Sequence, residues 1–215
     1  MRTWIKFCAT TCLEDALASI EAGADAVGFV FAPSKRRISP EQAQAIISRL
    51  PSHIERIGIF QNEAAARVQA IAEQTGLTAV QLHGEETAEF ANHLFPKSFR
   101  GPRIGVIKTI VVGDNFAARL EEVCRDYSGI DSILLDSGAG SGRRFDWQKI
   151  QPLLHRRGTR LIVAGGLSPE NVGEAISKFS PWGVDVVSGV ERGPGRKDPE
   201  KLKAFVAAVR KAEEV

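Results

Sequence analysis

Residues 160–191 read RLIVAGGLSPENVGEAISKFSPWGVDVVSGVE, and this stretch decides the fold. An apolar run, Arg160–Ala164, predicts a strand that is followed by a pair of glycines. A helical period follows over Pro169–Lys178, and a second apolar run, Val184–Ser188, predicts the next strand. Strand, glycine turn, helix and strand in this order indicate parallel strands joined by a crossover helix.

The same alternation runs along the rest of the chain. Six further strands are predicted at Trp4–Cys8, Ala26–Phe31, Ile54–Phe60, Ala79–Leu82, Ile104–Thr109 and Ser132–Asp136. Seven further helices are predicted at Leu13–Ala22, Pro40–Arg49, Glu63–Thr75, Glu85–His93, Asn115–Tyr127, Trp147–His155 and Pro199–Ala212. Eight units of roughly 27 residues predict an α/β fold, a closed (β/α)8 TIM barrel with short loops. A doubly wound open sheet is the alternative, but its glycine-rich turn usually follows the first strand, whereas the glycine turns here come late.

Composition limits the class of protein. The 215 residues carry 28 Lys and Arg against 26 Asp and Glu, and this net charge of +2 gives no reason to expect a nucleic-acid partner. The longest apolar stretch, residues 26–32, is too short to span a membrane, and the N-terminus does not fit a signal peptide. Three cysteines cannot all pair, which favours reduced thiols. We therefore expect a single domain over residues 1–215, in the cytoplasm.

The carboxyl ends of the strands carry the candidate site, because active sites of this fold lie there. The first strand ends in Lys6, Phe7 and Cys8, and a period of two puts Lys6 and Cys8 on the inner face. A thiol near a cation can have a lowered pKa and act as a base or nucleophile. The alternative is that Cys8 is a small buried apolar residue. Asp185 interrupts the apolar eighth strand, which neighbours the first in a closed barrel, and predicts an ion pair with Lys6.

Polar residues mark three more strand ends. Asp136 ends the sixth strand, where a carboxylate is either a general acid or base, or a turn residue. Arg36 belongs to three adjacent cations after the second strand, which either hold an anionic group of a substrate or form a solvated loop. His83 follows the fourth strand and is either a hydrogen-bonding group for a substrate or a turn residue.

Glycine turns follow the seventh and eighth strands, at Gly165-Gly166 and Ser188-Gly189. Glycine lets backbone N–H groups approach an anion, and barrels of this kind often bind phosphate after their last strands. The two turns therefore predict a phosphate site. Ordinary tight turns are the alternative.

In chain order, these motifs resemble those of phosphoribosylanthranilate isomerases, the barrel enzymes of tryptophan biosynthesis. The matching segments are Lys6-Phe7-Cys8, residues 26–31, Ser34-Lys35-Arg36, Gln81-Leu82-His83-Gly84, Leu135-Asp136 with the glycine loop after it, Phe145-Asp146-Trp147, residues 164–172, residues 184–191 and Pro194-Gly195-Arg196-Lys197-Asp198. The resemblance runs over nearly the whole chain. Three positions depart from the family: Ala9 replaces a glycine, Lys35 a proline and Val187 a serine.

The resemblance implies an Amadori rearrangement of N-(5'-phosphoribosyl)anthranilate to 1-(2-carboxyphenylamino)-1-deoxyribulose 5-phosphate. It implies that Asp136 is the acid, that Cys8 is the base and that Arg36 holds the anthranilate carboxylate. Further substrate contacts are expected from His83, Lys6 and Asp185. The phosphate is expected at Gly140, Gly142, Gly165, Gly166, Ser188 and Gly189.

This chemistry needs no metal and no organic cofactor. The expected partner is a small phosphorylated substrate, with no nucleic acid and no membrane, and the protein is expected to be a monomer or a homodimer. Two alternatives stay open. The related histidine-pathway sugar isomerase acts on a two-phosphate substrate, but it uses carboxylates as both acid and base, so Cys8 argues against it. A barrel that binds a phosphorylated metabolite without turnover is the other, because Ala9 can misplace the base if its φ is positive.

Overall fold

Eight parallel strands close a barrel in the order of the sequence in the computed structural model, which describes residues 2–95, 102–136 and 160–214. The strands are β1 (Trp4–Phe7), β2 (Ala26–Val30), β3 (Glu55–Phe60), β4 (Ala79–Leu82), β5 (Gly105–Val111), β6 (Ser132–Asp136), β7 (Arg160–Ala164) and β8 (Gly183–Val186). The helices are Leu13–Ala22, Pro40–Ile47, Ala65–Thr75, Ala88–His93, Phe116–Asp126, Val172–Phe179 and Pro199–Ala212. The predicted (β/α)8 barrel is confirmed. The predicted helix Trp147–His155 and the loop glycines Gly140 and Gly142 lie outside the described residues.

The barrel interior changes from apolar to polar along the strands. An apolar cluster comprises Trp4, Ala26, Ile57, Ala79, Ile107, Leu134, Ile162 and Ala164. Two residues further along their strands, β1 and β4 carry buried Lys6 and Gln81. In β8, Asp185 pairs in register with Lys6, which places a polar layer nearer the carboxyl ends of the strands. The polar groups therefore lie towards the mouth where sites of this fold form.

The outer faces of the strands pack against the helices. Phe7 is fully buried and meets Phe205 of the last helix edge-on, with ring centroids 5.8 Å apart. Val184 and Val186 join the same cluster on the neighbouring strand. Burial of each such side chain contributes about 1.5–3 kcal/mol, so this layer holds the last helix on the barrel. The predicted orientation of Phe7, opposite to Lys6, is confirmed.

Capping residues explain where the helices begin. Ser39 forms a capping box with Gln42, and Pro40 occupies the first turn, as this sequence pattern predicts. Asp198 caps the helix Pro199–Ala212, since its side chain accepts from the backbone N–H groups of Glu200 and Lys201. The predicted start at Pro169 is wrong, because the helix begins at Val172. There the Asn171 side chain bonds to Gly166 O and Ser168 N, which ties the intervening residues into the turn after β7.

The end of the eighth unit differs from the prediction. The strand ends at Val186 instead of Ser188, and a 3-10 turn over Ser188–Val190 follows. A short hairpin that the sequence analysis does not predict comes next, formed by β9 (Glu191–Gly193) and β10 (Arg196–Lys197). In the part of the chain that the structure describes, no helix has the length and apolar character needed to cross a membrane.

Candidate active site

A buried ion pair lies beneath the mouth of the barrel. Lys6 is fully buried, and its Nζ lies 3.0 Å from Asp185 Oδ2. The same ammonium donates to Gln81 Oε1 at 2.7 Å. The predicted Lys6–Asp185 contact is confirmed, since closure of the barrel pairs the two residues across β1 and β8. Burial alone lowers the pKa of Lys6, but Asp185 and Cys8 more than offset this, so its pKa lies above the ordinary value.

Cys8 follows β1 and is buried beside Lys6. Burial raises the pKa of the Cys8 thiol, and the positive charges of Lys6 and Lys197 oppose this only in part. Of the possibilities that the sequence leaves open, a lowered thiol pKa is the one that the structure disfavours, because desolvation of the thiolate outweighs the neighbouring cations. A protonated thiol at rest has to lose its proton before it acts as a base.

Asp185 keeps one carboxylate oxygen without a partner. Burial raises the pKa of Asp185, while Lys6 acts in the opposite direction. Its Oδ2 faces Lys6, whereas Oδ1 is buried and has no hydrogen bond among the described residues. An unmade hydrogen bond on a buried carboxylate is costly, so Oδ1 is suited to accept one from a bound hydroxyl group.

Gln81 connects this pair to the opposite side of the mouth. It accepts from Lys6, donates to Thr109 Oγ1 at 3.1 Å and lies 3.3 Å from His83 Nδ1. His83 Nε2 in turn lies 3.8 Å from Asp136 Oδ2. Burial lowers the pKa of His83 more than the Asp136 carboxylate raises it, so the imidazole favours its neutral form. Asp136 also raises the pKa of Asp185, which brings both sides into one electrostatic cluster.

The loop that carries His83 rests on a second buried ion pair. Lys108 Nζ lies 2.7 Å from Glu86 Oε2 and donates to Gly84 O at 2.7 Å. Glu86 also accepts from the backbone N–H groups of Asn62 and Gly84. This pair fixes the segment directly after His83, so the imidazole is held by the loop as well as by Gln81.

Arg36, in the loop after β2, is held by Glu191. Its Nε donates to Glu191 Oε1 at 2.9 Å and its Nη2 donates to Oε2 at 2.6 Å. The hydrogen bonds to Glu191 raise the pKa of Arg36 further. Buried Lys197 donates from Nζ to Cys8 O at 2.6 Å and lies 3.7 Å from Glu191 Oε1. Burial lowers the pKa of Lys197.

The segments that follow β7 and β8 approach each other closely. Gly165 and Gly166 have φ of +90° and +66°, and a Cβ on Gly166 would meet no atom of the described residues within 4 Å. A Cβ on Gly189 would lie 2.0 Å from Leu167 O, so only glycine permits this approach. The turn at Ser188-Gly189 therefore contacts the segment directly after Gly165-Gly166.

Ala9 has the left-handed conformation that favours glycine. Its φ is +64°, and its methyl group is buried directly after the candidate base. A non-glycine residue in this region costs about 1–2 kcal/mol. The backbone nevertheless adopts it, and Cys8 still reaches the Lys6 side of the mouth.

Comparison with known proteins identifies the family. A family model described as N-(5'phosphoribosyl)anthranilate (PRA) isomerase matches residues 5–208. The chain belongs to this isomerase family. The N-(5'-phosphoribosyl)anthranilate isomerase of Desulforudis audaxviator is 44% identical over 215 residues, which are 98% of this chain and 99% of that protein. That of Thermotoga maritima is 45% identical over 94% of this chain and 96% of its own.

Solved isomerase structures share the fold. The phosphoribosyl anthranilate isomerase of Thermotoga maritima has a TM-score of 0.85 and 42% identity, and the match covers 97% of this chain and 99% of that one. A second isomerase structure holds reduced 1-(o-carboxyphenylamino)-1-deoxyribulose 5-phosphate and has a TM-score of 0.83, at 42% identity with the same coverage. A third structure is of generated monomers of the dimeric Thermotoga maritima isomerase, with a TM-score of 0.83 and 41% identity.

In this member of the isomerase family, three residues of the candidate site had no role predicted from the sequence. Gln81, Glu191 and Lys197 stood only inside motifs, with no role assigned. Gln81 has a local signal, because it shares an inner face with the strand residues two positions away. Glu191 and Lys197 act across the hairpin β9–β10, and neither shows a periodic pattern. Among residues 2–95, 102–136 and 160–214, no three His, Cys, Asp or Glu side chains form a group suited to a metal ion.

Proposed function

We propose that this barrel isomerises N-(5'-phosphoribosyl)anthranilate to 1-(2-carboxyphenylamino)-1-deoxyribulose 5-phosphate, in tryptophan biosynthesis. Membership of the isomerase family supports the reaction. One structural observation supports the roles of the residues. A chain of contacts runs from Lys6 to Gln81 at 2.7 Å, from Gln81 to His83 at 3.3 Å and from His83 to Asp136 at 3.8 Å. Because Cys8 lies two residues after Lys6, these contacts favour a candidate base and a candidate acid at one mouth.

The first step opens the ribose ring. The substrate nitrogen donates its lone pair to C1 as the bond from C1 to the ring oxygen breaks, which leaves a Schiff base. Asp136, in its acid form, gives a proton to the departing ring oxygen. Neutral His83, 3.8 Å from Asp136, is suited to hold the acid and the resulting hydroxyl by hydrogen bonds.

The second step moves a proton from C2. Cys8 as thiolate removes the C2 proton, and the electron pair forms the C1–C2 double bond of an enolamine while the Schiff base nitrogen becomes neutral. The Cys8 thiol then gives a proton to C1, and the C2 hydroxyl returns a proton to Asp136, which yields the ketone and restores both groups. Lys6 favours the thiolate by its charge, since it lowers the pKa of Cys8 against the effect of burial. Only protons move, so side chains can supply the whole sequence.

The remaining groups would bind the substrate. Arg36 is assigned to the anthranilate carboxylate, for which a guanidinium is well matched. Oδ1 of Asp185 is assigned to a sugar hydroxyl, since it is a buried acceptor with no partner among the described residues. The turns at Gly165-Gly166 and Ser188-Gly189 are assigned to the phosphate, and the close approach of Gly189 to Leu167, the residue after the first turn, supports one shared site. Gly140 and Gly142 keep the same assignment as predictions from the sequence.

Two broader proposals accompany this function. A cytoplasmic location is consistent with reduced thiols at Cys8 and Cys12. A homodimer is supported by the dimeric relative from Thermotoga maritima, and a monomer stays open. Sedimentation of the purified protein distinguishes the two.

The experiment follows anthranilate-type fluorescence while the protein acts on substrate generated in place from anthranilate and ribose 5-phosphate. Signal loss should be proportional to enzyme and should be abolished by Asp136→Asn. Asp131→Asn is the matched control, because it makes the same change just before the other end of β6. Binding of the reduced product analogue without turnover would favour a binding-only barrel, and equal activity of Asp136→Asn would remove Asp136 as the acid.

A further inference from the structure

The hairpin β9–β10 is built over the carboxyl end of β1, and the proposed chemistry does not use it. Asp15 Oδ2 accepts from Lys197 N at 2.9 Å, and Thr11 Oγ1 donates to Gly195 O at 2.5 Å. These contacts hold the hairpin against the segment that follows Cys8. A hairpin of so few residues is not stable alone, so its fixed position depends on these anchors.

We propose that Glu191 is a positioning residue that orients Arg36 for the carboxylate of the substrate. The inference rests on the proposed function, because it assumes that Arg36 binds the anthranilate carboxylate. Glu191 then acts through Arg36 and sets the preference for a substrate that carries this carboxylate.

The geometry leaves one edge of Arg36 available. Glu191 occupies Nε and Nη2 of the guanidinium, and Nη1 makes no hydrogen bond to any described residue. A planar guanidinium has two edges that can bind a carboxylate through two bonds. The edge formed by Nη1 and the second N–H of Nη2 is therefore free for an incoming carboxylate.

The two side chains of the Arg36–Glu191 pair differ in burial. The Glu191 side chain is 4% exposed, whereas the Arg36 side chain is 24% exposed. Glu191 also accepts from Gly195 N at 3.1 Å and faces Lys197 Nζ at 3.7 Å, so its carboxylate is held from two further directions. Arg36 lies on a loop, keeps part of its surface exposed and is oriented by this buried carboxylate.

This arrangement lowers the cost of substrate binding. A long arginine side chain on a loop loses rotamer freedom when it binds a ligand, and one already held in place loses less. Buried Lys197 connects the Arg36–Glu191 pair to the base, because its Nζ donates to Cys8 O at 2.6 Å and lies 3.7 Å from Glu191 Oε1. The carboxylate end of the substrate and its reacting carbons would therefore lie on the same side of the mouth.

The test compares Glu191→Gln with the unchanged protein on two substrates made in place from ribose 5-phosphate. One amine is anthranilate and the other is aniline, which lacks the carboxylate, and product is followed by chromatography. Glu191→Gln should lower kcat/KM for the anthranilate substrate roughly ten- to a hundredfold, mainly through KM, because misplacement of a binding group carries a penalty of this order. For the aniline substrate, kcat/KM should stay within about twofold.

Thr11→Val is the matched control, because it removes a different anchor of the same hairpin and leaves Glu191 and Arg36 in place. The double variant Arg36→Met/Glu191→Gln should be no worse than Arg36→Met alone on the anthranilate substrate. Equal losses of Glu191→Gln on both substrates, or additive losses in the double variant, would show a purely structural role and overturn the proposal. Absence of turnover by the unchanged protein would instead refute the proposed function.

Discussion

The Lys6→Met variant tests whether the buried ion pair is a major part of the stability of the barrel. Methionine keeps most of the side-chain volume but removes the ammonium that lies 3.0 Å from Asp185 Oδ2. It also removes the donor to Gln81. Since the Asp185 side chain is only 6% exposed, its carboxylate would lose its partner without gaining water.

The expected loss is large compared with the stability of a folded domain. Removing one member of a buried ion pair costs about 3–5 kcal/mol, against a total of about 5–15 kcal/mol. At about 2–4 °C per kcal/mol for a chain of this size, the melting temperature should fall by roughly 6–20 °C. Lys6→Met/Asp185→Asn should recover most of this loss, because no buried charge is then left unpaired.

The loss should depend on pH with a definite sign. Without Lys6, burial acts unopposed by that charge, and the folded-state pKa of Asp185 rises further above its unfolded value of about 3.9. The folded state then binds the proton more tightly than the unfolded state does. The free energy of unfolding of Lys6→Met should therefore be closest to that of the unchanged protein near pH 4. The difference between the two should grow as pH rises through the folded-state pKa of Asp185.

Urea unfolding monitored by circular dichroism, from about pH 4 to pH 8, measures each of these effects. The double variant provides the control for loss of packing alone. A deficit under about 1 kcal/mol at neutral pH, or one that does not change with pH, would refute the argument from an unpaired buried charge. So would a double variant no more stable than Lys6→Met.

Three further predictions concern the segment around the base. Cys8→Ser should lower kcat far more than it changes KM, because a poorer base acts on the transition state, and unchanged turnover would remove Cys8 from the mechanism. The thiolate absorbance of the protein minus that of Cys8→Ser should titrate above the ordinary thiol range near about 8.5, because burial raises the pKa of Cys8. Titration below that range would contradict this. Ala9→Gly should change the free energy of unfolding by less than about 1 kcal/mol, because relief of backbone strain is offset by loss of a buried methyl group and by a more flexible unfolded chain. Urea unfolding measures this, and a gain of about 3 kcal/mol would show that the strain is larger.

The strands could be predicted because their interior positions are apolar and buried on both faces. β4, β6 and β7 agree with the predicted ends, since a polar or glycine residue follows each apolar run. The Lys6–Asp185 pair was also predictable, because closure of a barrel makes the first and last strands neighbours. Helix starts were predictable at Ser39 and Asp198, where the cap is local. The predicted helix start at Pro169 was wrong, because the Asn171 side chain bonds to the preceding turn and keeps residues 169–171 outside the helix.

The direction of the Cys8 pKa could not be predicted from its neighbours along the chain. The sequence shows a cation two residues away, which alone lowers a thiol pKa. It does not show how completely the thiol is removed from water, and in the structure Cys8 is 5% exposed. Lys6 also contacts Asp185 and Gln81. The negative charge of Asp185 raises the pKa of Cys8 and so offsets part of the effect of Lys6.

The Arg36–Glu191 pair could not be predicted either, because its two residues are far apart in the sequence. Arg36 lies in a basic run, where it resembles any solvated loop arginine, and its partner is 155 residues away. Nothing local to Glu191 predicts that its carboxylate is buried, because burial depends on a hairpin anchored by Asp15 and Thr11. A charged side chain that is fixed only through a distant, buried partner carries no periodic signal in the sequence. An arginine that has one edge held and the other open is well matched to a substrate carboxylate, so the residue to which we assign this specificity is one that sequence patterns do not reveal.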